Sequence, residues 1–251
     1  MPAGLTLDSL PATDGGAGHV DTLKQSVEVV AEAWKGSPYY DAADPYTYVW
    51  WEDDFPFHPR FRQLDLTATL ELACGHGRHS ERAAALAPRL VLMDILQENI
   101  DFCRTRLAGR PGIEFHRNTG YDFAPIGDGE MTAVFSYDSM VHFSPDIVRS
   151  YILDTARILA PGGRALYQHS NYDAPTDRHY GQNPHARNRM TEAMLRGFAA
   201  EAGLEILSTR ALPWGGVEDL RNASLQAGTP PSSPEVVPDL DRLTLLQKPA
   251  R

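Results

Sequence analysis

Two histidines and a carboxylate have the types and positions to move a proton. His142 follows the apolar run Met131–Ser136 by a few residues, and His169 closes the run Arg164–His169. Asp138 lies between the first run and His142. A hydroxyl is a poor nucleophile at neutral pH, so a group transfer to oxygen needs a base. Imidazole titrates in the useful range. His169 also opens the polar sequence His-Ser-Asn-Tyr, whose side chains can orient a ring or hold a substrate. We take His169, His142 and Asp138 as the catalytic candidates, with His169 slightly favoured. The alternatives are a helix-entrance role for His142, which Phe143-Ser144-Pro145 follows, and loop hydrogen bonding for His169.

A second group has the make-up of a ligand cradle. In Thr67–Ser80, TATLELACGHGRHS, an apolar run breaks at Gly75-His76-Gly77 and passes into helix-forming residues. Glycines there let the backbone approach a ligand closely. The first amides of the following helix offer donors to negative charge. Glu71 sits before the turn, and Asp94 ends the next apolar run. Gly75 and Asp94 are 19 positions apart, close to the ~20 expected for an acid that holds a ribose. The plain alternative is a tight strand–helix turn with no ligand.

The segment Glu-Leu-Ala-Cys-Gly-His-Gly resembles the first motif of the class I S-adenosylmethionine (SAM)-dependent methyltransferases, and Val-Leu-Met-Asp resembles their second. Ala73 replaces the first glycine of the commonest version, and Ser80 occupies the third-glycine place of the nicotinamide fingerprint. The resemblance implies that Glu71 and the backbone of Ala73, Cys74, Gly75 and Gly77 hold the amino-acid end of SAM. It implies that Asp94, with Ile95 beside it, takes the two ribose hydroxyls. It places Asn118, Thr119 and Gly120 near the adenine amine, through the Thr119 hydroxyl or the Asn118 carbonyl. Ser136 and Tyr137 fall at the centre of the crevice. Asp138 and His142 match positions found in many small-molecule methyltransferases. The Asn/Asp-Pro-Pro-aromatic motif of one large group of nucleic-acid amine methyltransferases is replaced by Asp138-Ser139-Met140-Val141.

Positioning these residues requires alternating strands and helices. Strands are expected at 67–74, 89–93, 112–117, 131–136, 164–169, 204–212 and 242–247, and helices at 78–87, 97–107, 145–159 and 190–202. Such alternation gives an α/β, doubly wound sheet. The resemblance, covering about residues 65–250, implies a Rossmann-like seven-stranded sheet with its last strand antiparallel. Val20, Leu23, Val27, Val30, Ala31 and Trp34 share one helical face, so a helix over 20–35 precedes the sheet. The expected organisation is an arm at 1–18, disordered unless it docks; an N-terminal helix and aromatic lid at 19–64; and the SAM-binding domain at 65–251. In 39–61, nine aromatic residues interleave with acids and three prolines. That excludes a long helix. It suits a lid with flat apolar walls, or a flap that only covers the sheet. Residues 213–239, rich in Pro, Gly and Ser, are expected to form a surface loop.

Composition narrows the partners. The net charge of −10, without a dense Lys/Arg run, opposes a nucleic-acid substrate. No apolar run reaches the ~18 residues of a membrane span, and the N-terminus lacks the pattern of a signal peptide. Two cysteines, Cys74 and Cys103, make neither a disulfide framework nor a metal site. A cytoplasmic setting is the default. No metal is assigned, because the histidines and acids of 171–189 lack a metal-ligand spacing. The same run carries Arg178, Arg187 and Arg189, suited to an anionic acceptor. The expectation is SAM-dependent methylation of a small polar molecule, at a sugar or natural-product hydroxyl. The alternatives are N-methylation of a small amine, SAM binding without catalysis, and a nicotinamide-dependent oxidoreductase.

Overall fold

The computed structural model describes residues 17–175, 180–214 and 237–250. Helix α1 spans Ala17–Trp34, and three short helices follow: α2 Tyr39–Ala43, α3 Thr47–Trp50 and α4 Phe57–Phe61. The strands are β1 Thr69–Leu72, β2 Leu90–Asp94, β3 Ile113–Arg117, β4 Met131–Ser136, β5 Leu159–Ser170, β6 Glu205–Trp214 and β7 Val237–Gln247. Between them lie α5 Ser80–Ala83, α6 Gln97–Arg106, α7 Pro145–Ile158 and α8 Glu192–Glu201. The seven strands form one sheet in the order β3-β2-β1-β4-β5-β7-β6. The pairs among β1 to β5 are parallel, and β7 runs antiparallel to both β5 and β6. The strand order reverses between β1 and β4, which opens a crevice at their carboxyl ends.

Both faces of the sheet are covered, which explains the continuous apolar runs of its central strands. One face packs Leu70, Leu72, Val91, Met93 and Val134 against Ile147, Tyr151 and Ile152 of α7 and Leu195 and Ala199 of α8. The other packs Leu90, Leu92, Ala133 and Phe135 against Ile100 and Cys103 of α6 and the N-terminal aromatics.

Several boundaries depart from expectation, among them β5, which starts at Leu159 instead of 164. Helix α5 is a single turn instead of a helix over 78–87. Its later bonds, Ala85 N–H to Arg82 and Leu86 N–H to Ala83, are tightened i→i+3 bonds, and Pro88 then closes the segment. The one turn supplies little of the dipole expected at the glycine loop. Strands β6 and β7 extend inward to Trp214 and Val237, because the antiparallel ladder continues past a register shift. The expected loop over 213–239 is thereby trimmed, and its residues 215–236 lie outside the described residues, as does the arm at 1–16. Helix α1 starts at Ala17, inside the stretch expected to be an arm.

The aromatic segment divides in two. Trp50, Trp51, Phe55, Phe57 and Phe61 are buried in the second core face. Trp51 contacts Phe61 edge-on at 4.8 Å, and Phe61 contacts Phe135 of β4 at 5.1 Å. Tyr39 and Tyr40 line the crevice instead, beside Trp34 at the end of α1.

Candidate active site

The crevice is a cleft floored by the ends of β1, β2 and β4 and roofed by α1 and α2. Ser26, Val27 and Val30 of α1 enter it from above, together with Trp34, Tyr39 and Tyr40. The roof is tied to the floor by polar bonds. Tyr39 donates its phenol proton to Asp138 Oδ2. Asn99 Nδ2 donates to the Tyr40 hydroxyl at 3.2 Å, and the Gly36 amide donates to Glu98 at 2.9 Å. Arg106 pairs with Asp44 at 2.8 Å.

The turn after β1 is tight. Ala73, Gly75 and Gly77 all have positive φ, at 57°, 53° and 76°. A left-handed alanine carries strain of about 1–2 kcal/mol, so Ala73 adopts at some cost the geometry that the related motif gives to glycine. A Cβ on Gly75 would meet the Tyr40 ring at 2.9 Å, and one on Gly77 would meet Cys103 Sγ at 3.0 Å.

Asp94 organises this turn from β2. Its Oδ2 accepts the Gly75 amide at 2.9 Å, and its Oδ1 accepts the Leu96 amide at 2.9 Å and Asn99 Nδ2 at 3.1 Å. A carboxylate offers about four acceptor positions, so about one is left for a ligand hydroxyl. The expected pair of ribose hydroxyls therefore cannot both bind without displacing one of these donors. Glu71 is buried on β1, which pushes its carboxyl up to about 8; Ser80 Oγ donates to it at 2.5 Å. Asn118 gives Nδ2 to the Tyr151 hydroxyl at 2.9 Å, and its Oδ1 is buried without a partner.

Of the expected ligand residues, Glu71, Ala73, Cys74, Gly75, Asp94, Ile95, Asn118, Gly120 and Tyr137 line the cleft. Three do not. Gly77 turns its amide to the Cys74 carbonyl at 2.8 Å. Thr119 is exposed and caps its own turn, donating to Asp122 at 2.9 Å. Ser136 is fully buried within β4. Of the two adenine-contact alternatives, Asn118 lines the cleft and Thr119 does not.

The catalytic candidates also separate. His169 is fully buried on β5, away from the cleft; it pairs through Nδ1 with the Ser170 carbonyl and through Nε2 with the Thr244 hydroxyl, both at 2.9 Å. With one nitrogen held by Ser170 of its own strand and the other by Thr244 of the antiparallel neighbour β7, it has no access to a substrate, which corrects the preference for His169. His142 lines the cleft. Its Nδ1–H donates to the Ala186 carbonyl at 2.8 Å, which leaves the lone pair on Nε2. Burial, reinforced by the Arg187 charge, holds its pKa down to about 4, so the ring is neutral at pH 7. Trp34 packs on it at 4.6 Å.

Asp138 also lines the cleft, in a left-handed backbone with φ 59°. Burial acts to raise its pKa, but Arg78 and Arg187 outweigh it and keep the carboxylate ionised. Arg78 Nη2 donates to Asp138 Oδ2 at 2.6 Å while its guanidinium lies over the Tyr39 and Trp50 rings. Behind it, Gln168 accepts the Asp138 amide and donates to Asp241, each at 2.8 Å.

Of the arginines expected to recognise an anionic acceptor, the two described ones are paired elsewhere. Arg187 is buried and forked onto Asp241. Arg189 is exposed and pairs with Asp173 at 3.1 Å. Arg178 and His179 lie outside the described residues. Among the described residues no group of three or more His, Cys, Asp or Glu is arranged to hold a metal ion. None of the described helices is long and apolar enough to cross a membrane.

Sequence reasoning did not assign Trp34, Tyr39, Tyr40, Arg78, His79 or Ser139 to the site. The aromatic run at 39–61 signalled Tyr39 and Tyr40 as a group, and Trp34 falls on the apolar face of the preceding helix. The others carry no individual signal.

Residues 69–163, from β1 into β5, match the family described as "Methyltransferase domain". A curated relative, methyltransferase nsrG of Aspergillus novofumigatus, is 28% identical over 112 residues, 43% of each protein. The matched stretch thus spans less than half the length of that relative. A solved SAM-dependent methyltransferase of Methanosarcina mazei superposes with a TM-score of 0.58 at 14% identity, covering 80% of this chain and 100% of that one. The [4+2]-cyclase SpnF superposes with a TM-score of 0.59 at 17% identity, covering 84% of this chain and 83% of that one. The sheet therefore has the fold of the solved SAM-dependent methyltransferase, and residues 69–163 match the methyltransferase-domain family.

Proposed function

We propose that the protein transfers a methyl group from SAM to a small polar acceptor, at oxygen, with His142 as the base. The observation that carries this is the cleft itself, where a glycine turn, an acid after β2 and an unpartnered Asn118 Oδ1 converge with a neutral histidine. The donor set fits SAM. Asn118 Oδ1 would accept from the adenine amine, Asp94 would accept one ribose hydroxyl, and Glu71 would face the cationic end. Bound there, SAM supplies a methyl already activated on a sulfonium. The chain's contribution is then alignment and exclusion of water. Trp34, Tyr39 and Tyr40 close the cleft from above, and their ties to Asp138 and Asn99 make α1 and α2 the lid. His142 Nε2 takes the acceptor proton, and Asp138, ionised nearby, stabilises the imidazolium that forms.

A hydroxyl of a sugar or a natural product remains the favoured acceptor. N-methylation of a small amine is the second reading, favoured by the low His142 pKa: a weak base suits an acceptor that needs less help losing a proton. That a cyclase shares the fold shows why turnover must be measured. The test is a melting scan with SAM, S-adenosylhomocysteine and NAD, followed by labelled-methyl transfer to panels of hydroxyl and amine acceptors. Stabilisation by the two adenosyl compounds and transfer to a hydroxyl are expected. Stabilisation by NAD alone, or by none of the three, overturns the reading.

A further inference from the structure

The run 171–189 is rich in arginine and histidine, yet among its described residues no arginine lines the cleft. What it presents is a main-chain carbonyl, that of Ala186, which holds the Nδ1–H of His142. The turn that presents it is strained: His185 and Ala186 are consecutive non-glycine residues with φ of 49° and 55°. Strain of this kind persists only where surrounding structure enforces it.

The enforcing contacts come from Arg187 and its neighbours. Arg187 grips Asp241 of β7 with a fork, Nε to Oδ1 at 2.9 Å and Nη2 to Oδ2 at 2.5 Å. Its Nη1 reaches back to the His185 carbonyl at 3.0 Å. Asn183 Nδ2 donates to the Arg187 carbonyl at 2.8 Å, and the Asn188 amide donates to Val141, beside His142, at 2.9 Å. The ion pair is almost fully buried, with side-chain exposures of 3% and 1%. Buried pairs are often no more stabilising than apolar residues of the same shape, so stability alone does not account for the fork.

We propose that Arg187 and Asp241 are positioning residues for His142: their buried fork clamps the strained 185–186 turn so that the Ala186 carbonyl sets the proton on Nδ1 and the lone pair on Nε2. The inference rests on the reading of His142 as the base, but its geometric part can be tested without turnover. The charges facing His142 are Arg187 from the clamp and Asp138 from the end of β4, with the Trp34 and Tyr180 rings against it.

The experiment is nitrogen-15 NMR of the histidine side chains, with His142→Gln to assign the signal. The unsubstituted protein should show His142 as the Nδ1–H tautomer. Arg187→Met combined with Asp241→Leu removes both charges and leaves no lone buried ion. In that variant the signal should become a tautomer mixture. The kcat on the acceptor found above should fall about tenfold or more, with S-adenosylhomocysteine affinity within about twofold. Arg187→Lys keeps the charge without the fork and should fall between. An Nε2–H tautomer in the unsubstituted protein overturns the proposal, whatever the variants do. So does a folded double variant with an unaltered tautomer and kcat. If no acceptor is ever methylated, the functional reading fails separately, and the tautomer result still decides the clamp.

Discussion

Gly75→Ala probes whether the roof over the cleft and the glycine turn beneath it were matched to each other. At φ 53°, any side chain is strained by about 1–2 kcal/mol. The new Cβ would also meet Tyr40 Cε1 at 2.9 Å and Cδ1 at 3.1 Å. The Tyr40 ring cannot yield freely. It stacks on His76 at 4.6 Å, and its hydroxyl accepts from Asn99 Nδ2. Displacing it forfeits a hydrogen bond and a ring contact, together about 1 kcal/mol. The total is about 2–3 kcal/mol, equivalent to about 4–12 °C in Tm for a domain of this size. Calorimetric or denaturant unfolding measures it. The double variant Gly75→Ala/Tyr40→Ala should recover the steric part, giving a coupling of about 1 kcal/mol in the cycle. Backbone strain alone would remain. A Gly75→Ala protein within about 0.5 kcal/mol of the original refutes the reasoning about the turn. Strict additivity with Tyr40→Ala refutes the reasoning about the roof.

Ala73→Gly should act in the opposite direction, relieving a left-handed alanine and raising stability by about 0.5–1 kcal/mol in the same unfolding assay. Glu71 binds its proton more tightly in the folded state, up to about 8 against an unfolded value near 4.3, so stability falls as pH rises between those values. Glu71→Gln should flatten that slope in unfolding measured from about pH 4.5 to 8. In calorimetry across buffers of different ionisation enthalpy, SAM binding near pH 7 should release a proton from the original protein and none from Glu71→Gln. The two histidines should part cleanly. His142→Gln should lower kcat by about 10²-fold with SAM affinity nearly unchanged. His169→Gln should cost about 1–3 kcal/mol of stability through the Thr244 and Ser170 bonds and leave kcat within about threefold.

The strand and helix alternation was legible because buried parallel strands are short apolar runs and their helices carry a 3.6-residue stripe; both are local properties of the chain. Hence Met131–Ser136 falls where the pattern places it, and Ile100, Cys103 and Leu107 all face the core. The glycine turn and Asp94 were legible for a related reason: positive φ and a strand-ending acid leave a mark within a few residues. The histidines were not. His142 follows an apolar strand and His169 lies at the end of one, and no local feature says which has a free nitrogen. That depends on β7, more than 70 residues later, where Thr244 takes one ring of the pair, and on a turn at 185–186 that fixes the other. Arg187 misled for the same reason, since its partner Asp241 is 54 positions away. The aromatic run before β1 announced large apolar surfaces but not their destinations. Only packing decided that Trp50 to Phe61 would complete the core while Trp34, Tyr39 and Tyr40 closed the cleft. Side-chain partners are set by contacts distant in sequence, and those exist only once the sheet has formed.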